Sequence, residues 1–280
     1  MNTPIKFIAN PQSPHVRHWL QLLHTQHMQC TIYGISAADV THDSTETASL
    51  VPAWASRLPK IMQYCIAGLM LRWRSPKTHT WIHAHNASGY GLVAWLSKRP
   101  YLLTTYGTEI LQSHHRSYVY RALMKKIIAN ATLITSTSDA MTQYLMEHYK
   151  VNTSVIEQFS TGVHACFFQS IDEKHAVKKH AREPVWLINR RIHPHYCTLE
   201  VIRAFQAYIA AGYPGHLRII QGDCDKTYEQ AVIKQCANDD NISIIFGFQS
   251  QERLAYELLV ADFSISMPIS DQLSSSILES

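Results

Sequence analysis

Short apolar runs rich in β-branched residues alternate with helical patterns along nearly the whole chain, and this alternation narrows the fold more than any other feature. Ile5-Lys6-Phe7-Ile8-Ala9 reads as a strand, Val16 to His27 as a helix and Cys30 to Ile35 as a second strand, which is a β-α-β start. Further strands are expected at Thr80 to His85, Tyr101 to Thr105, Leu133 to Ser136 and Ser154 to Glu157, separated by helical stretches. The polar segment Ala37 to Pro52 reads as irregular. After Phe168 the chain is charged and lacks long apolar runs as far as Pro184, which suits a linker. A second series then begins, with strands at Pro184 to Asn189, Leu217 to Ile220, Ile242 to Phe246 and Phe263 to Ser266. The expected architecture is α/β: Rossmann-like units at 1–168 and 185–280, joined by 169–184. Two such units need roughly 150 residues each, so a chain of 280 residues leaves the second one incomplete.

In such folds ligands gather at the carboxyl ends of the strands. The last strand stops at Met267-Pro268, and the chain continues through Asp271 and Ser274-Ser275-Ser276 into Ile277-Leu278-Glu279. Three serines suit a helix start, and a helix start suits a phosphate, with one acid on either side. A solvated helix start is the plainer alternative. Arg190 and Arg191 follow a strand directly, where two guanidiniums can grip a diphosphate in a fork; surface solubility explains them equally well. Gly222 sits in a tight turn after a strand. Strand alternation puts His83 and His85 on one face, but no third metal ligand is evident nearby, so no metal is expected.

Taken together these landmarks resemble the retaining glycosyltransferases of family 4. The resemblance rests on His83-x-His85 before a small-residue turn, Gly107 to Glu109, Gly162-Val163, Arg191, Gly222, Gly247 and the pair Asp271 and Glu279, in family order over nearly the whole chain. It implies a GT-B fold, in which two Rossmann-like domains face a cleft. It also implies transfer of a sugar from a nucleotide diphosphate sugar to a glycan or lipid-linked acceptor, with retention of configuration and no metal or other cofactor. Asp271 would hold the donor sugar, Glu279 the ribose, and Arg190, Arg191 and Ser274 to Ser276 the diphosphate. Gly222 would lie on the nucleotide side, and His85 and Glu109 on the acceptor side. Three positions depart from the pattern: Tyr106 stands for a histidine, His164 for an aspartate, and Tyr196 for the lysine five residues after Arg191. The ending after Glu279 makes a truncated, inactive remnant the alternative.

Net charge is +4, which suits phosphorylated substrates or peripheral contact with an anionic membrane. No helix-turn-helix, zinc-finger or RNA-binding signature is present, which speaks against nucleic acid as partner. Six cysteines without a C-x-x-C pair fit reduced thiols. The longest apolar stretch, Ile61 to Leu71, is too short to cross a bilayer. A cytoplasmic location, at the inner face of the membrane, and a role in surface polysaccharide or lipopolysaccharide synthesis are what the resemblance implies.

Overall fold

A computed structural model describes residues 5–11, 13–28, 30–35, 47–74, 81–159, 162–168, 183–271 and 274–280. The chain divides into two compact units, Met1–Thr161 and Gly162–Ser280.

The first unit holds a seven-stranded parallel sheet. Its strands are β1 (Ile5–Ile8), β2 (Cys30–Gly34), β3 (Thr47–Ser49), β4 (Trp81–His85), β5 (Tyr101–Thr104), β6 (Leu133–Ser136) and β7 (Ile156–Gln158), ordered β3-β2-β1-β4-β5-β6-β7. Helices α1 (Pro14–Thr25), α2 (Lys60–Arg74), α3 (Gly89–Leu96), α4 (Thr108–Leu111), α5 (Tyr118–Ala129) and α6 (Asp139–Tyr149) complete the unit. Phe7, Ile8, Ile82, Ala84, Leu103 and Ile134 are fully buried, as expected for central parallel strands covered on both faces. Ser117 and Ser138 start α5 and α6 by accepting from backbone N–H groups, which satisfies donors that a helix start leaves unpaired.

The second unit is built on a four-stranded parallel sheet of β8 (Val185–Ile188), β9 (His216–Ile220), β10 (Ile242–Ile245) and β11 (Phe263–Ser264), ordered β10-β9-β8-β11. Its helices are α7 (Thr198–Ala210), α8 (Lys226–Cys236), α9 (Gln251–Val260) and the single turn α10 (Ser275–Leu278). Leu187, Ile202, Leu217, Ile219 and Val232 form its dry centre. In both sheets the strand order reverses beside a central strand: β1 and β4 in the first, β8 and β11 in the second. Those reversals open a crevice at the strands' carboxyl ends.

Two expectations need correction. The segment read as irregular contains β3, which pairs with β2 from Ile32↔Thr47 to Gly34↔Ser49. The boundary between units falls after Thr161 rather than after Phe168. The 3-10 turn Ala165–Phe167 packs on α9, and Phe167 joins the apolar cluster of Val185, Leu187 and Leu258. The expected linker, 169–184, lies outside the described residues as far as 182.

Candidate functional site

At the crevice of the second unit, Arg190 leaves the carboxyl end of β8 and crosses to the loop after β11. Its Nη2 donates to Asp271 Oδ2 at 2.6 Å and its Nη1 to Ser276 Oγ at 2.7 Å and to Ser274 Oγ. The Tyr196 ring lies against the guanidinium at 4.2 Å, a cation–π contact. Only 11% of the Arg190 side chain is exposed, against 28% for Asp271. Asn189 Nδ2 donates to the Ser276 carbonyl at 2.8 Å and to Ser280 Oγ at 3.1 Å, while its Oδ1 is buried without a hydrogen-bond partner. Burial raises the Glu279 carboxyl above the ordinary range, with the Arg190 cation opposing the shift. The 3-10 turn Pro194–Tyr196 is tied to the same loop: His195 Nε2 donates to the Ser270 carbonyl at 2.6 Å, and Ile269 N donates to the His195 carbonyl at 2.8 Å.

This arrangement changes three details of the sequence reading. Arg190, not Arg191, reaches Asp271 and the serines. Arg191 is 44% exposed, pairs with Asp223 at 3.5 Å and lies 5.9 Å from the Tyr196 ring. The residue five positions after Arg190 is His195, so the imidazole occupies the place relative to Arg190 that was assigned to Tyr196 relative to Arg191. The start of α10 is also not an open tip: Ser274 makes no side-chain cap and turns to Arg190 instead. One turn adds little macrodipole, so anion affinity at this corner rests on guanidinium groups. Ser275 is half-buried and makes none of these contacts. Gly222 follows β9 with φ +60°, and a Cβ there would stand 2.9 Å from the Arg191 Cβ. Glycine at this position keeps Arg191 in place.

The first unit's crevice gathers His83, His85, Tyr106 and Glu109. His83 and His85 share a face of β4 with ring centroids 4.1 Å apart, and Phe7 lies beside both rings. His83 Nε2 bonds Thr104 Oγ1 at 2.7 Å, and His85 Nδ1 bonds the Tyr106 hydroxyl at 2.7 Å. His85 is 2% exposed, and its Nε2 has no hydrogen-bond partner. Burial, helped by His15, lowers its pKa to about 3, so the ring is neutral. Tyr106, standing for a histidine, is the side chain that engages His85. Glu109 caps its own turn, accepting from the Tyr106 N–H at 2.8 Å and from the N–H groups of Glu109 and Ala87; burial still raises its carboxyl. His164, standing for an aspartate, accepts from Cys166 N at 3.3 Å, a cap of the kind an aspartate makes. Among the described residues no group of three or more His, Cys, Asp and Glu side chains is placed to hold a metal ion.

Sequence reasoning missed Asn189 and His195, and saw Tyr106 only as a departure from a histidine. Asn189 carried a signal, being the polar residue that ends an apolar strand at the sheet's reversal point. Tyr196 was seen only as a missing lysine, whereas it is the ring on which both guanidiniums rest.

Two parallel-sheet units with crevices at their carboxyl edges define the GT-B class. The whole chain superposes on solved members of that class. Sucrose-phosphate synthase from Thermosynechococcus elongatus aligns with a TM-score of 0.79 at 16% identity over 99% of this chain and 78% of the other. HepE from Anabaena, solved with UDP and glucose, aligns with a TM-score of 0.72 at 13% identity over 99% and 78%. The catalytic domain of starch synthase IV from Arabidopsis thaliana, bound to ADP and acarbose, gives 0.68 at 12% identity over 100% and 81%. A sequence search of curated proteins finds no match. Residues 5–138 match the family described as Glycosyl transferase 4-like, and the whole chain has the GT-B fold.

Proposed function

We propose that the chain transfers a sugar from a nucleotide diphosphate sugar to a glycan or lipid-linked acceptor, with retention of configuration, in surface polysaccharide or lipopolysaccharide synthesis. The observation that carries this is the Arg190 clasp: a largely buried guanidinium at the reversal point of the second sheet, held between Asp271 and two serines. Cleaving the bond between the anomeric carbon and the diphosphate leaves negative charge on the departing group, and preorganised donors aimed at that charge lower the barrier. Arg190, with Arg191 across the Tyr196 ring, supplies them. Asp271 would take hydroxyls of the donor sugar and Glu279 those of the ribose. The acceptor oxygen forms the new bond to the anomeric carbon and its proton passes to the departing diphosphate oxygen; His85, neutral and with a bare Nε2, and Glu109 are the acceptor-side groups in this scheme. No metal or other cofactor is called for, because guanidiniums take the cation's role. The UDP complexes of HepE support a nucleotide diphosphate as ligand. The reaction would run on the cytoplasmic side, at the membrane's inner face; no helix among the described residues is long and apolar enough to cross a membrane.

A second reading has its own support. Arg190 is already satisfied by Asp271 and the serines, Arg191 by Asp223, and no lysine follows, which favours an inactive relative that binds nucleotide weakly or not at all. Calorimetric titration with UDP, GDP and ADP separates the two. Saturable binding of one nucleotide that weakens on Arg191→Ala supports the transferase. If none of the three binds, the inactive relative stands.

A further inference from the structure

Between Thr47 and Ser138 the sequence carries eleven Lys and Arg but a single acid, Glu109. That lone acid is turned inward onto three backbone N–H groups, so among the described residues of this stretch the Lys and Arg side chains face no acid of the stretch at the surface. Within it, the start of α3 and the facing sides of α2 and α5 leave a cavity of about 200 Å³. Its wall is made by Ile61, Tyr64, Leu92, Leu123, Met124 and Ile127, with Tyr120 and Ser88 also lining it. On α5 the contributors are spaced 120, 123, 124 and 127, one continuous helical face. At about 30 Å³ for a group the size of a water, the cavity has room for roughly six or seven methylene-sized groups.

The surroundings are of two kinds. Ile61, Met62, Trp54, Tyr118 and Val119 are large apolar side chains left exposed on the same helices and the turn before them, and a cluster of that sort marks a surface that meets something apolar. Lys60 and Arg121 flank the pocket residues Ile61 and Tyr120 in sequence and are exposed, and Arg116 lies within electrostatic reach of Tyr120. A free sugar would find few polar partners on this wall. Ser88 follows Ala87, whose N–H holds the Glu109 carboxylate, and Tyr120 senses that carboxylate too. The cavity is thus apolar, with cations beside its lining residues in sequence, and it shares Tyr120 with the surroundings of the acid placed above on the acceptor side.

We propose that this pocket seats the hydrocarbon chain of a lipid phosphate, with its phosphate on Lys60, Arg116 and Arg121, so that the acceptor class is a lipid-linked one. This rests on the transferase function proposed above, and the test keeps the two apart.

The full chain is titrated with decyl phosphate below its aggregation concentration, with decanol and with inorganic phosphate, and separately with UDP. Decyl phosphate should bind saturably, decanol about tenfold more weakly, and inorganic phosphate should not displace it. Ile61→Trp, a change at an exposed position that fills the mouth, should weaken decyl phosphate about tenfold and leave UDP unchanged. Lys60→Glu with Arg121→Glu should weaken decyl phosphate at low salt and remove most of its salt dependence. Thermal unfolding of each variant at the wild-type midpoint shows that the fold is kept. Decyl phosphate binding that Ile61→Trp does not change, or that inorganic phosphate displaces, overturns the pocket, and retained UDP binding then leaves the transferase standing. Equal sedimentation of wild type and Ile61→Trp with phosphatidylcholine–phosphatidylglycerol vesicles carrying decyl phosphate points to a merely charged surface and likewise overturns the pocket. Decyl phosphate binding sensitive to Ile61→Trp without any nucleotide binding keeps the lipid site and removes the transferase.

Discussion

Asp271 and Arg190 should respond to substitution with opposite signs when nucleotide affinity is measured. In the free protein the carboxylate holds Nη2 at 2.6 Å, so a diphosphate that takes the guanidinium must displace it and then sit beside it. A phosphate gripping the same fork would lie about 6 Å from the displaced carboxylate, and at an effective dielectric of about 40–80 the repulsion is about 0.7–1.4 kcal/mol. Asp271→Asn keeps the shape and one acceptor but removes that charge, so UDP should bind about three- to tenfold tighter, while transfer slows because the sugar loses its carboxylate. Arg190→Ala removes charge-assisted bonds worth about 2–4 kcal/mol together, so UDP should weaken by about thirtyfold to a thousandfold. Isothermal titration at low salt reads both, with unfolding midpoints as the check on folding. Asp271→Asn weakening UDP, or Arg190→Ala leaving it unchanged, would refute the placement of the diphosphate on Arg190.

Three further outcomes follow from the geometry. Gly222→Ala puts a Cβ against the Arg191 side chain at a left-handed backbone position, and a cost of about 1–2 kcal/mol should appear as a lower unfolding midpoint of the second unit. Glu109→Gln replaces an acceptor of three backbone N–H groups by an amide that turns a donor toward them; the first unit should lose about 1–3 kcal/mol in denaturant titration, with an unchanged m-value. His85 has a pKa near 3 in the fold against 6.5 for an ordinary histidine. The unfolded chain therefore binds more protons between these values, and stability is full above about pH 6.5 and falls as pH drops toward 3. His85→Phe should flatten that acid limb by up to about 1.4 kcal/mol per pH unit, and an unchanged slope would show that the ring is not buried neutral.

The buried strands were legible because parallel strands covered on both faces spell near-continuous apolar runs, as Tyr101-Leu102-Leu103 and Val185-Trp186-Leu187-Ile188 do. β3 was not legible: Thr47-Ala48-Ser49 has no large apolar residue, and its pairing with β2 at the sheet edge supplies what its side chains do not. The small-residue stretch after His85, with Gly89 and Gly91, reads as a turn, which hides the start of α3. It starts at Gly89, where the Tyr64 ring of α2 lies so close that a side chain would collide with it; the glycine serves packing, not a turn. For the site, residue type and order were readable, but the choice between two adjacent arginines was not. A motif aligned one residue off selects Arg191, and only the direction in which each side chain leaves the strand gives the clasp to Arg190.

The modest charge of +4 conceals an uneven division that bears on how each unit meets an anion. The first unit carries fourteen Lys and Arg against seven Asp and Glu, the second eleven against fourteen. The unit with the arginine clasp is thus net acidic, so a nucleotide diphosphate gains little from its overall field and must be held by local contacts: a guanidinium fixed by Asp271, two serines and the Tyr196 ring. Contacts of that kind are only weakly screened, because the Debye length at physiological salt, about 8 Å, exceeds their range. The first unit is where long-range attraction of anions resides, and its cations flank an apolar cavity instead of a preorganised fork. Binding there should weaken by up to about tenfold as salt rises, whereas nucleotide binding should hold. Ionic strength alone can therefore assign an anionic ligand to one unit or the other, without a substitution.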